Sequence, residues 1–367
     1  MSRLPLWRAQ LPLPLASLTT TAHRAVSLSV TRCGLAAGLI HFYLSNYQDR
    51  RFLWGPHGVL AQAPWTSHGS LIASVSPYRF WPSEIGFEVL FHLALLLALA
   101  FGLFGGRLLS AANWLMLSSL HGQNPLLLDG GDNLARLLLL FMTLTDNNLY
   151  LAVGAIRRRN RLRHLLGHHP GSARLFIHNC GVLLVAFQVV VLYGAAILWK
   201  LSGEPWRDGT ALYYVFRVTE FTYRPLPSLV VENPVLVTLL TYGVIVSQMV
   251  LVWFAVRRRR PFVVLGAALV LHAGIAVSMG LVTFSVVILS GVAVLVDDAA
   301  WIAVLAVVAR FFCSPHAQGS PTALQSWPVR SVAAVPVRDL RSHPGNRQAG
   351  SPVRWSRDES PLAQRGP

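Results

Sequence analysis

Stretches of apolar, nearly uncharged sequence recur through residues 28–296. A helix needs roughly 20 such residues to cross a bilayer. Backbone in lipid must satisfy its own hydrogen bonds, which leaves helices or closed barrels. Eight runs fit a helical reading: 28–47, 84–105, 107–121, 134–154, 175–200, 234–256, 262–280 and 282–296. The clearest are the fifth, beginning LFIHNCGVLLVAFQVVVLYG, and the sixth. The run 107–121 is short enough to be re-entrant. The last two are one bent segment if Gly280 does not separate them, so the count is eight, give or take one or two. The expected fold is therefore all-α: a polytopic integral membrane bundle of about eight transmembrane helices with a disordered C-terminal tail.

Composition supports this class. Hydrophobic residues make up 53% of the 367 and charged residues only 13%, about half the share usual in soluble domains. Mean hydropathy is +0.49. An ordinary soluble enzyme and a disordered chain are both excluded. Three regions are expected: a basic segment 1–25, a membrane domain 26–312, and an Arg-, Pro- and Ser-rich tail 313–367 too poor in apolar residues to build a core. A short helix near 299–312 is expected before the tail, with Asp297 and Asp298 at the membrane exit. The first 30 residues lack a compact apolar core followed by a small-residue cleavage site, so no cleaved signal peptide is expected. No internal repeat is evident.

The net charge of +16 is read as topology rather than as a nucleic-acid footprint. Arginine gathers at 157–163 (RRRNRLR), at 257–260 (RRRR), in the tail and near the N-terminus. Eight crossings put all four on one face, which is then cytoplasmic, in the plasma membrane, with both termini inside. The opposite face receives the connections 48–83, 121–133 and 200–233, which are rich in Trp, Tyr, His, Gly and Pro. Cys33, Cys180 and Cys313 form neither a metal spacing nor a disulfide framework.

Three segments carry candidate chemistry. In residues 118–139 (SSLHGQNPLLLDGGDNLARLLL), Asp129-Gly130-Gly131-Asp132 is a turn signal, and Asp132 or Asn133 is expected to cap the following helix. His121, Gln123 and Asn124 beside them are read as a polar pocket at the membrane surface. The spacing matches no metal signature, so no metal site is expected. In residues 198–221, Lys200 is the only lysine among 31 basic residues. Arginine anchors a helix end as well as lysine does. Lysine alone deprotonates readily when buried, so a site needing an amine base would retain it. Trp206 and a turn at Asp208-Gly209 follow, then an interfacial helix over 210–221 bearing Tyr213. In residues 269–289, His272 lies within an apolar run, where an ionisable group faces the bundle interior or a cavity. His41, His92 and His178 stand in similar positions.

Taken in order, YQDRRFLWGPHGVL, SLHGQNPLLLDGGDN, KLSGEPWRDGTALYY and LHAGIAVSMGLVTFS resemble the HTTM family, the membrane domain related to vitamin K-dependent γ-carboxylases. The resemblance covers roughly residues 26–312, and the Arg- and Ala-rich character resembles members from high-GC actinobacteria. In the carboxylases a lysine within K-L-x-x-x-W-x-x-G is the proposed base for vitamin K hydroquinone. Lys200-Leu201 with Trp206 and Gly209 is similar, with a longer gap before the Trp. His272 falls where the carboxylates' later F-H segment would lie in the carboxylases. Other bacterial relatives are similar to proteins that mature a sporulation-delaying toxin.

The resemblance implies a reduced quinone or a lipid as ligand near the outer face, and Lys200 as general base. His121 or His272 would orient or stabilise an anion, and Asp129, Asp132 and Asp208 would position loops or donors. The carboxylases carry a large extramembrane domain where this sequence has the tail, so substrate recognition in their manner is not expected. The alternative is a non-catalytic membrane protein that binds lipid, helps mature an exported peptide, or confers immunity, with Lys200 as an interfacial anchor. No chain of intramembrane carboxylates favours transport.

Overall fold

The computed structural model of the protein describes residues 17–60, 74–168, 172–218 and 230–312. The predicted tail and most of the N-terminal segment lie outside these residues. The described residues belong to one compact unit and contain helices but no strand.

Ten helices of more than ten residues form the bundle: α1 Ala25–Ser45, α2 Glu84–Phe104, α3 Arg107–Gln123, α4 Gly130–Met142, α5 Ala155–His168, α6 Ala173–Ser202, α7 Pro234–Val256, α8 Pro261–Met279, α9 Val282–Val292 and α10 Asp298–Phe312. Five of them, α1, α2, α6, α7 and α8, are long and apolar enough to cross a membrane. The other three expected spans correspond to shorter helices. The span expected at 107–121 is the 17-residue α3, and that at 282–296 is the 11-residue α9 followed by a 3-10 turn. The span expected at 134–154 is helical only to Met142. At 1.5 Å per residue, α4 is about 20 Å long, well short of a ~30 Å hydrocarbon core.

Helix α9 is central, packing against α1, α4, α6 and α8. Small residues let it approach α1 closely, which is how helices associate where lipid removes the hydrophobic driving force. A Cβ at Gly34 would come within 2.5 Å of Ser290 Oγ, and one at Gly38 within 2.9 Å of Val287 Cγ2. The surrounding core includes Leu35 and Leu39 of α1, Phe91 and Ala98 of α2, Leu134 and Leu138 of α4, and Val185 and Val189 of α6. Gly280, with φ 68°, separates α8 from α9 in the left-handed region that glycine tolerates best.

The break after α4 has a visible cause. Residues 143–154 leave the helix, and their carbonyls are met by guanidinium groups. Arg32 of α1 donates to Asn147 O at 3.1 Å and to Leu151 O. Arg159 donates to Leu149 O at 2.6 Å and Arg158 to Val153 O at 2.8 Å. Asp146 takes two hydrogen bonds of 2.9 Å from Arg174 and pairs with Arg107 at 3.4 Å. Arg158 and Arg159 of the cluster 157–163 thus hold this loop. The helix expected at 299–312 is present as α10. The interfacial helix expected over 210–221 is shorter, Ala211–Val215, and residues 219–221 lie outside the described ones.

Candidate functional site

The candidate residues fall into two groups on successive connections of one end of the bundle. In the first, Asp129 N-caps α4, its carboxylate accepting from Asp132 N at 2.8 Å. Asp132 returns the contact, accepting from Asp129 N at 3.1 Å. This reciprocal capping box satisfies two orphan donors of the helix start and explains both aspartates structurally. The fold also requires glycine beside them, since a Cβ at Gly131 would lie 3.0 Å from Phe284 Cα.

The remaining oxygen of Asp132 faces His121 Nε2 across 3.7 Å, too far for a hydrogen bond. His121 is 2% exposed, and neither ring nitrogen has a hydrogen-bond partner. Its ring stands edge-on to Phe42 at 5.3 Å. Asn124 donates to Leu53 O at 3.0 Å, while its own Oδ1 is unpartnered, as are Ser118 Oγ and Ser119 Oγ nearby in sequence. Asp132 lies outside the five long apolar helices. Burial, reinforced by the charge of Asp129, pushes its carboxyl up to about 6.

Lys200 and His272 anchor the second group. Lys200 is half-buried in the last turn of α6, its Nζ 5.1 Å from the centre of the Trp206 ring. No carboxylate pairs with it among the described residues. His272, 2% exposed in α8, shares a 2.8 Å hydrogen bond through Nε2 with Tyr193 Oη, and its Nδ1 has no partner. Tyr193 was not among the sequence candidates, yet it precedes Lys200 by seven positions. That spacing puts both on one stripe of α6, and it is the signal that would have found it.

Asp208 and Tyr213 stand apart from that centre. Asp208 accepts from the Thr210 amide at 2.9 Å and its hydroxyl at 2.6 Å, which holds this exposed carboxylate below its ordinary range. It forms the turn that the sequence suggested. Tyr213 bonds Arg217 and packs edge-on to Tyr214. Phe284 of α9 lies between the two groups, with its ring 5.9 Å from His272 and its backbone against Gly131.

The other intramembrane histidines differ from His121 in being bonded. His41 meets Thr283 Oγ1 at 2.7 Å, His92 meets Tyr47 Oη at 2.9 Å, and His178 accepts from Asp146 N at 2.9 Å. No group of three His, Cys, Asp or Glu side chains able to hold a metal ion is found among the described residues. A cavity of about 180 Å3 opens elsewhere on the same end, lined by Trp54 and Tyr78 among others; of the residues expected to form a polar pocket, Gln123 reaches it and His121 and Asn124 do not.

The fold and site define a class: an all-helical bundle with five helices fit to cross a membrane and ionisable groups buried among them. Comparison with known proteins narrows this little. The chain is similar to YitO, an uncharacterized protein of Bacillus subtilis (strain 168), at 28% identity over 199 residues. The match takes in 52% of this chain and 60% of that protein, so it spans less than two thirds of the relative's length. No family model and no solved structure matches the chain.

Proposed function

We propose that this chain is an HTTM-type protein of the plasma membrane, crossing it about eight times with both termini cytoplasmic. It takes a quinol-like or lipid ligand near the outer face, with Lys200 as general base. The observation that carries the reading is Lys200 itself. The lysine shares one stripe of α6 with the buried Tyr193, whose hydroxyl bonds His272, and no carboxylate pairs with it among the described residues.

The donor set fits a neutral phenolic ring, because an amine, an imidazole and a phenol can each exchange one proton with an O–H group. A reduced quinone supplies that acidic O–H. Lys200 would accept the proton, His272 would orient the ring oxygen through its unpartnered Nδ1, and Tyr193 would fix the imidazole. His121, with Asp132 behind it and Asn124 close in sequence, would receive a polar group at the neighbouring connection. Trp206 would hold the lysine stem, while Asp129, Asp208 and Tyr213 shape the loops.

One contact favours a second reading. The Lys200 ammonium over the Trp206 ring is also what an interfacial anchor makes. The protein would then be a non-catalytic accessory factor, binding lipid or assisting an exported peptide. Lys200→Arg and Lys200→Met separate the two. Arginine preserves charge and the cation–π contact but cannot serve as a base. If the base reading holds, both variants insert normally and neither rescues the phenotype of a deletion, the function falling by about tenfold or more. Rescue by arginine would sink it and leave the anchor.

A further inference from the structure

A second ligand site lies at the turn that joins α7 to α8. Four consecutive arginines, Arg257 to Arg260, make up that turn, and all four are exposed. None pairs with a carboxylate among the described residues. The backbone of the turn is occupied in closing α7. Arg259 N donates to Phe254 O at 3.0 Å and Arg258 N to Ala255 O at 3.1 Å, the paired bonds of a Schellman C-cap.

That motif puts Arg258 in the left-handed region, with φ 50°, and Arg260 follows at φ 53°. Both positions favour glycine, and a residue with a Cβ is strained there. Only four non-glycine residues among those described have a positive φ, and two of them stand two places apart here. Charge that only marks a membrane face needs no such backbone, since Arg257 and Arg259 already supply it. Backbone strain that persists at an exposed turn is a mark of function.

The surface beside the turn indicates what the arginines meet. Helices α7 and α8 are the least buried of the five long helices. Trp253, Val256 and Phe262, on either side of the turn, are each more than half exposed. The Arg257 guanidinium lies over the Trp253 ring, 4.3 Å from its centre, so one cation is held at the edge of the apolar surface. An unpaired cationic turn bordered by apolar side chains fits a molecule with an anionic head and a hydrocarbon body. A headgroup with its own ammonium would bring a positive charge up to four others. We propose that the α7–α8 turn binds the phosphodiester of a phospholipid of net negative charge. The guanidinium forks of Arg258 and Arg260 take the phosphate oxygens, and the acyl chains lie along Trp253, Val256 and Phe262. The site stands whether or not Lys200 is a base.

The test uses the full chain in dodecyl maltoside micelles at physiological ionic strength. It is titrated with dioleoyl phosphatidylglycerol and with dioleoyl phosphatidylcholine, which have the same chains, and native mass spectrometry counts the bound lipid. Phosphatidylglycerol is expected to bind saturably and about tenfold tighter, as two arginines facing an anionic head allow. Arg258→Gly combined with Arg260→Gly should cut that preference to about twofold or less, while the thermal transition without added lipid holds or rises because glycine relaxes the turn. Arg157→Gln with Arg161→Gln removes the same charge from exposed positions of α5 and should leave the preference intact. Equal binding of the two lipids by the parent protein would overturn the proposal. So would a preference that survives in the glycine variant, or one that falls equally in the α5 variant. A lowered transition in the glycine variant would show that the arginines serve the fold itself, and would overturn it as well. Glycerol 3-phosphate at matching concentration should not displace the lipid; displacement would assign the turn to a soluble phosphate and overturn the lipid reading.

Discussion

Arg32 is fully buried within α1, and no carboxylate meets it among the described residues. Its guanidinium donates instead to the carbonyls of Phe101 and Gly102, where α2 ends, and to those of Asn147 and Leu151. A cation at a helix C-terminus satisfies orphan carbonyls and the helix dipole together. Arg32→Met would strip all four carbonyls of their charged donor, leaving Phe101 O with the Gly105 amide and Asn147 O with Ser29 Oγ, and Arg32→Lys would lose the planar fork that reaches them. Thermal denaturation in detergent should show a loss of at least about 3 kcal/mol for Met. An unchanged transition would contradict this account.

At Asp132, burial holds the carboxyl at about 6, above its value in an unfolded chain. The folded state therefore binds the proton more tightly, and this group's contribution to stability falls as pH rises from about 4 to about 6. Each pH unit in that window corresponds to at most about 1.4 kcal/mol. Asp132→Asn should flatten the difference while retaining a cap, and parallel pH–stability curves for the two proteins would refute it. The turn at Asp129 to Asp132 was readable in DGGD, but the cap expected at Asp132 or Asn133 falls three or four residues earlier, at Asp129, with Asp132 completing the box. The isolation of His121 was not readable, because its neighbours Phe42 and Asp132 come from distant sequence.

Among the elements, α4 teaches most about what sequence reveals. Its apolar run continues through Leu144, Leu149 and Leu151, and a hydropathy reading carries the helix to 154. The chain stops at Met142 because Arg107 and Arg174 claim Asp146 and because Arg32, Arg158 and Arg159 take the loop carbonyls. Apart from Arg158, five positions from Val153, those partners lie from 10 to more than 100 positions away, so no local window contains them all. The long helices α2, α6, α7 and α8 were legible because each carries a long window of high hydropathy with few charged residues. Close packing of α1 on α9 yields another prediction. Gly34→Ala should destabilise the bundle by about 1–3 kcal/mol through the clash with Ser290. Adding Ser290→Ala should restore most of the loss in a thermal assay. A Gly34→Ala variant as stable as the parent would show that α1 and α9 are not pressed together.

At the scale of the whole molecule, the arrangement is polarised. The end bearing Arg107, Asp146, Arg158, Arg159 and Arg174 gathers ion pairs and loop hydrogen bonds, with Arg107 Nε and Arg24 Nη1 left without hydrogen-bond partners. The end bearing His121, Asn124, Trp54 and Tyr78 holds buried polar atoms without partners. The Lys200 ligand is expected at the second end. The proposed orientation places that end outside. A single cysteine at His57 should then react with an impermeant maleimide on intact cells, and one at Arg161 should not, in a chain whose native cysteines are replaced. The reverse pattern would invert the topology.

The central claim concerns Lys200, and a structure of the protein determined in its native lipid tests it most directly. The account predicts a bound quinol-like or lipid molecule whose polar head contacts both Lys200 Nζ and His272 Nδ1. A Lys200 ammonium resting in headgroup water over Trp206, with no molecule between it and His272, would contradict it.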